Sequence, residues 1–244
     1  MGKLRSSALI FIGAVATASC LIVASAIRQR PPMHYLQFCV ILALSVIASR
    51  LKLKLPGLNG NMSVNLPFIL IAVVELSLIE ALMIGLASTV AQCVPKDGGR
   101  PRAVQMLFNV STMAGAVGLA GLIFQGRVPL PTAWVSGSLL LALAGVSFFL
   151  VQTIPVATII TLTEGGAMMQ IWSSIVHLSF PYYVLSAGVA SIVTTASQHW
   201  GWQIPLLVMP VMYGVHRSYQ VYFSRPETAV RPATLAKAAV TSTQ

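Results

Sequence analysis

Apolar runs follow one another along nearly the whole chain, parted by short polar or basic connectors. Those over Ala8–Ile27, Tyr35–Ser49, Ala103–Phe124, Phe180–Ala196 and Ile204–Val221 read as membrane helices, since about 20 apolar residues cross a hydrocarbon core. A longer run from Ala133 to Thr163 contains Pro155, which is expected to break or kink it, and stops at Glu164-Gly165-Gly166. Next, Ala167–His177 mixes Gln170, Ser173, Ser174 and His177 with apolar residues, predicting a short helix at the interface.

One run does not fit a single span. Pro67–Val94 exceeds the thickness of the core, yet Glu75-Leu76-Ser77 divides it into halves that are each too short. The pattern predicts a bent pair of short helices. Ser77-Leu78-Ile79-Glu80 has the spacing of a capping box, in which the serine accepts from the Glu80 amide while the Glu80 carboxylate reaches back to the Ser77 N–H. Upstream, Pro56-Gly57, Asn59-Gly60-Asn61 and Asn65 favour non-helical backbone. Irregular backbone at membrane depth either lines a cavity or is buried in protein, so residues 55–94 are expected to line a site.

The fold expected is all-α: a polytopic membrane helical bundle of six full spans plus a broken helical hairpin, about eight membrane helices, forming one domain over residues 1–223. Residues 224–244 are polar and small, and are expected to form a disordered tail. An amide, a proline and a later carboxylate recur in Asn65-Leu66-Pro67 with Glu75 and in Gln152-Thr153-Ile154-Pro155 with Glu164, as a structural repeat of two interrupted helices would require.

Composition narrows the class. The chain is 56% hydrophobic and 8% charged, whereas a soluble domain carries about 25% charged residues. Its net charge of +10 comes from fifteen Lys and Arg, nearly all in connectors and the tail. With the N-terminus inside, twelve of these fall inside (Lys3, Arg5, Arg50, Lys52, Lys54, Lys96, Arg100, Arg102, Arg217, Arg225, Arg231, Lys237) and three outside (Arg28, Arg30, Arg127). That asymmetry predicts cytoplasmic termini, and explains the charge without a nucleic-acid partner. Cys20, Cys39 and Cys93 sit in apolar sequence and suggest neither disulfide nor metal site.

Ionisable groups within membrane segments are functional candidates by default, which singles out Glu75, Glu80 and Glu164. Capping accounts for Glu80, and a position beside a glycine stop accounts for Glu164. Asn65, Asn109, Gln105, Gln152 and Thr153 add neutral hydrogen-bonding groups that serve either as interhelical glue or as ligand contacts. The histidines are scattered, and no catalytic motif, metal set or cofactor signature is present. The chain is read as a non-enzyme, with no cofactor.

The segments LKLKLPGLNGNMSVNLPFIL, ELSLIEALMIGLASTVAQC, VQMLFNVSTM, TIPVATIITLTEG, SFPYYV and VMPVMYGVHRSYQVYF resemble the multi-pass membrane region found ahead of diguanylate-cyclase or HD-type phosphohydrolase domains in some bacteria. The resemblance covers Leu51 to Phe223. It implies a membrane sensor whose last helix drives an output domain, with Tyr213, His216, Arg217 and Tyr219 as the coupling segment. An aromatic-basic anchor at the inner headgroups is the plainer explanation of those four residues. After Arg225 neither cyclase nor hydrolase follows, so output would go through a signalling-enzyme partner or a lost domain.

More distantly, the chain looks like the substrate-binding membrane subunits of energy-coupling-factor transporters. Two readings result. One is a membrane module that binds an unknown small molecule and signals its presence. The other is an uptake subunit for a vitamin-like solute, which an ATPase-type partner would dock on the small-residue face of Ala114, Gly115, Gly118, Ala120 and Gly121. Membrane lipids are partners in both.

Overall fold

The computed structural model describes residues 6–28, 34–54, 61–94, 103–127, 136–218 and 221. Helices α1 (Ser6–Ile27) and α2 (Tyr35–Ser49) lead into a two-stranded antiparallel ribbon, β1 (Lys52–Lys54) and β2 (Asn61–Ser63), with Leu53 opposite Met62. There follow α3 (Leu66–Glu75), α4 (Leu78–Cys93), α5 (Ala103–Phe124), α6 (Gly137–Glu164) and α7 (Met168–Trp200). A 3-10 turn at Ile204–Leu207 then opens α8, over residues 208–218. The ribbon is the one departure from helix among the described elements, and it falls where the turn-forming residues disfavoured one.

Helix α5 packs on α1, α4 and α6, and glycine makes that possible. A Cβ on Gly118 would stand 2.0 Å from Ile22 Cγ2, one on Gly85 2.8 Å from Val117 Cγ2, and one on Gly121 2.6 Å from Leu78 Cδ1. Close backbone approach replaces the hydrophobic effect as the source of helix association in lipid. Together with Ser19 Oγ donating to Ser111 O at 2.6 Å, these contacts run α1 parallel to α5 and α4 antiparallel to it. The small-residue face is therefore filled from within by α1 and α4.

Large apolar residues point outward from the rim helices: Ile10, Leu21, Leu36, Val184, Ile192 and Val211 are all more than half exposed. A girdle of that extent requires a nonpolar surround. Among the described residues four helices, α1, α5, α6 and α7, are long and apolar enough to cross a membrane, while α2, α3 and α4 are shorter apolar helices.

The broken hairpin forms as its sequence predicts. Helix α3 ends at Glu75, Leu76 is extended, and Ser77 caps α4 with both halves of the capping box closed. The hairpin is also deep. Its turn meets His34 at the start of α2, and its far end, Val94, accepts from Arg50 just past the end of α2. It thus runs the full depth of α2, about 22 Å at 1.5 Å per residue.

Four expectations change. The interfacial helix Ala167–His177 and the span Phe180–Ala196 are one continuous helix, α7. Pro181 removes a single backbone donor, and Gln170, Ser173, Ser174 and His177 lie on an exposed face where polarity does not oppose helix formation. Pro155 likewise does not break α6, which continues to the positive-φ residues Gly165 and Gly166. The proposed repeat therefore fails as structure: Pro67 sits in the first turn of α3, where its missing N–H is harmless, whereas Pro155 is internal to α6. Finally, the run Ile204–Val221 begins as a 3-10 turn, not as the start of a membrane-length helix.

Candidate functional site

Two polar clusters occupy opposite ends of the α3–α4 hairpin. At the base, where the ribbon feeds α3, Asn65 is buried and does not cap its own helix. Its amide instead donates to Ser88 Oγ at 3.1 Å, and its carbonyl oxygen accepts from Ser63 Oγ at 2.6 Å. Gln92 lies 3.1 Å from the same hydroxyl. From α7, the Tyr182 hydroxyl donates to Ser63 O at 3.0 Å and accepts from Leu66 N at 3.3 Å. This network fixes the strand-to-helix junction, where backbone groups would otherwise lie buried and unbonded.

At the turn, the two carboxylates have different surroundings. Glu80 is fully buried, and its carboxylate accepts from His34 N at 2.9 Å, Ser77 N at 2.9 Å and Ser77 Oγ at 2.6 Å. One side chain thereby closes the cap of α4 and ties the turn to the start of α2. Nothing in that arrangement leaves an acceptor for a ligand.

Glu75, one turn away, is only half satisfied. Its Oε2 accepts from Gln37 Nε2 of α2 at 2.5 Å. Its Oε1 is buried and has no hydrogen-bond partner, and the same holds for Ser197 Oγ, its neighbour on α7. Ser197 is nevertheless close enough for its hydroxyl to act on the carboxyl as a donor, so three elements, α2, α3 and α7, converge on one loosely held carboxyl. Buried polar atoms rarely lack a well-formed hydrogen bond, because each loses its water without replacement.

The other predicted residues are dispersed. Asn109 Nδ2 lies 3.5 Å from Cys93 Sγ, and Gln152 Nε2 lies 3.5 Å from Met113 Sδ, so both amides bridge helices through weak sulfur acceptors. Gln105 is exposed. Thr153 is buried; it donates to Phe149 O at 2.8 Å and accepts from Trp172 Nε1 at 3.2 Å. Glu164 is exposed at the end of α6. On α8, His216 is buried while Tyr213 and Arg217 are exposed; Tyr219 lies outside the described residues. The three cysteines are free, and among the described residues no group of His, Cys, Asp or Glu is gathered for a metal.

Sequence reasoning missed Ser63, Ser88, Gln92 and Tyr182 at the base, and Gln37 and Ser197 at the turn. A signal existed for Gln37, an amide in the otherwise apolar run Tyr35–Ser49. None existed for Ser197, whose neighbourhood is ordinary helix-end sequence.

An outward apolar girdle with amides and carboxylates turned inward defines an integral membrane helical domain. Residues 21–222 match the MASE9 family model, and the chain belongs to that family of membrane-associated sensory domains. No curated protein and no solved structure matches the chain.

Proposed function

We propose that the chain is the input module of a membrane signalling system: it binds a small, membrane-accessible molecule at Glu75 and passes its occupancy to a signalling-enzyme partner. The observation that carries this reading is Glu75 Oε1, a buried carboxyl oxygen without a well-formed hydrogen bond. A molecule with an N–H or O–H donor supplies that bond, at about 0.5–1.5 kcal/mol net. Family membership supports a sensory role.

The route outward follows the chain. Ser197 lies in the last turn of α7, which ends at Gly201 with φ 89°, and the 3-10 turn and α8 come next. A ligand that draws Ser197 toward Glu75 biases that turn and with it the exposed Tyr213 and Arg217. In this reading the bundle sits in the inner membrane with both termini cytoplasmic, as the distribution of basic residues favours. The uptake-subunit alternative loses its docking face, since α1 and α4 fill the small-residue stripe of α5.

The test uses purified full-length protein in detergent, wild type beside Glu75→Gln, melted in the presence of a panel of membrane-permeant amines and alcohols. At saturation near a hundred times its Kd, a true ligand stabilises the wild type by about 2.7 kcal/mol, and Glu75→Gln loses most of that gain. The reading is overturned if no compound shifts the wild type more than the variant.

A further inference from the structure

Away from the hairpin, a groove of about 610 Å³ lies between the C-terminal ends of α1 and α5, lined by Leu21, Ala24, Ser25, Arg28, Leu122 and Arg127. Leu21, Ala24, Ser25 and Arg28 fall at helical spacing on one outward stripe of α1, with the small side chains in the middle. Because α1 and α5 run parallel and nearly in register, both helices stop at one level and deliver their arginines to the same end.

Those arginines are not needed by the fold. The end of α5 is closed by backbone alone: Arg127 N donates to Leu122 O and Gly126 N to Ile123 O, each at 3.0 Å, with Gly126 at φ 66°. This is the double hydrogen bond of a Schellman cap, which satisfies the last carbonyls without a side chain. Among the described residues neither guanidinium has a hydrogen-bond or ion-pair partner. None of the described acids lines the groove; Glu75 and Glu80 are bonded elsewhere and Glu164 lies at the end of α6 beyond Thr153.

We infer that the α1–α5 groove is a binding site for an anionic phospholipid, whose phosphate lies between Arg28 and Arg127 while an acyl chain runs along Leu21, Ala24 and Leu122. Charge complementarity selects the occupant. Two uncompensated cations at the rim of an apolar slot call for a ligand with one anionic end and one hydrocarbon body, and guanidinium geometry suits phosphate. The site is independent of the Glu75 reading, which concerns other helices and a donor ligand.

The experiment titrates full-length protein in lipid-free neutral detergent with phosphatidylglycerol, phosphatidylcholine or inorganic phosphate, and measures retained lipid by native mass spectrometry. Phosphatidylglycerol is expected to bind in preference to phosphatidylcholine. At about 1 kcal/mol per basic residue, Arg28→Gln or Arg127→Gln alone weakens it about fivefold and the pair about thirtyfold. Ala24→Trp, which fills the groove with both arginines intact, removes the bound lipid. Lys52→Gln, in β1 and outside the groove, leaves binding unchanged. Equal retention of the two lipids, unchanged binding in the double variant or in Ala24→Trp, or an equal loss in Lys52→Gln overturns the proposal. Displacement of the lipid by millimolar inorganic phosphate also overturns it, assigning the arginines to a soluble anion instead.

Discussion

At the α3–α4 hairpin and the strand that feeds it, the side chains of Ser63, Asn65 and Glu80 reach across to other segments, whereas along α6 and α7 most hydroxyls bond back to their own helix. Thr153, Thr158, Thr161, Thr163, Ser174, Ser179 and Ser186 each donate to the carbonyl four residues earlier. Burial accounts for part of the difference. Eight of the ten residues of α3 are buried, against six of the thirty-three in α7. A hydroxyl facing lipid has only its own backbone to satisfy it. Enclosure adds partners without compelling their use: Thr153, Ser179 and Ser186, and Ser88 and Thr89 in α4, are buried and still bond back. What marks out the hairpin is that Ser63, Asn65 and Glu80 also bond to other segments. The two regions also treat proline differently, as a helix opener in α3 and as a tolerated interruption in α6 and α7.

If that contrast is real, the hairpin is the place where small changes are felt most. The largest effect is expected from Glu80→Ala, which empties a fully buried site and strands the part-buried amides of His34 and Ser77. A loss of about 3 kcal/mol or more is expected, read as a lower unfolding temperature in detergent; a loss under about 1 kcal/mol would show that the turn is not an anchor.

A matched glycine pair sharpens the comparison. Gly85→Ala drives a methyl into the buried Val117 and is expected to destabilise by about 1–3 kcal/mol. Gly188→Ala in α7 meets nothing within 4 Å and is expected to be neutral or to stabilise by up to about 1 kcal/mol. Chemical denaturation of both variants side by side decides it; equal effects would erase the distinction between the regions.

The smallest effect separates the two kinds of hydroxyl or amide. Asn65→Ala leaves Ser63 and Ser88 short of a partner and is expected to lower stability by about 1–2 kcal/mol. Thr158→Val removes only a bond to Ile154 O and should stay within about 0.5 kcal/mol of wild type. A thermal scan showing Thr158→Val as the more damaging of the two would break the contrast.

How much of this was readable in advance varies by element. The limits of α2 and α5 and the capping box at Ser77 follow from apolar length and local spacing, which are properties of neighbouring residues. The split of α7 into two pieces was a misreading, because Pro181 and a polar stretch look like a boundary until the exposed face of a continuous helix is seen. Glu75 stood out as a charge in an apolar run, yet its partners did not. Gln37 and Ser197 lie 38 and 122 positions away, and no local rule links them.

The order of residues alone determined that this is a membrane protein, where α2 and α5 begin and end, and that the chain turns back at Ser77, since each depends on hydrophobic length or on a motif a few residues long. Only the tertiary structure decided which carboxylate is a staple and which is left open. That distinction rests on what other helices bring to within hydrogen-bonding distance, and packing between segments far apart in the chain sets it.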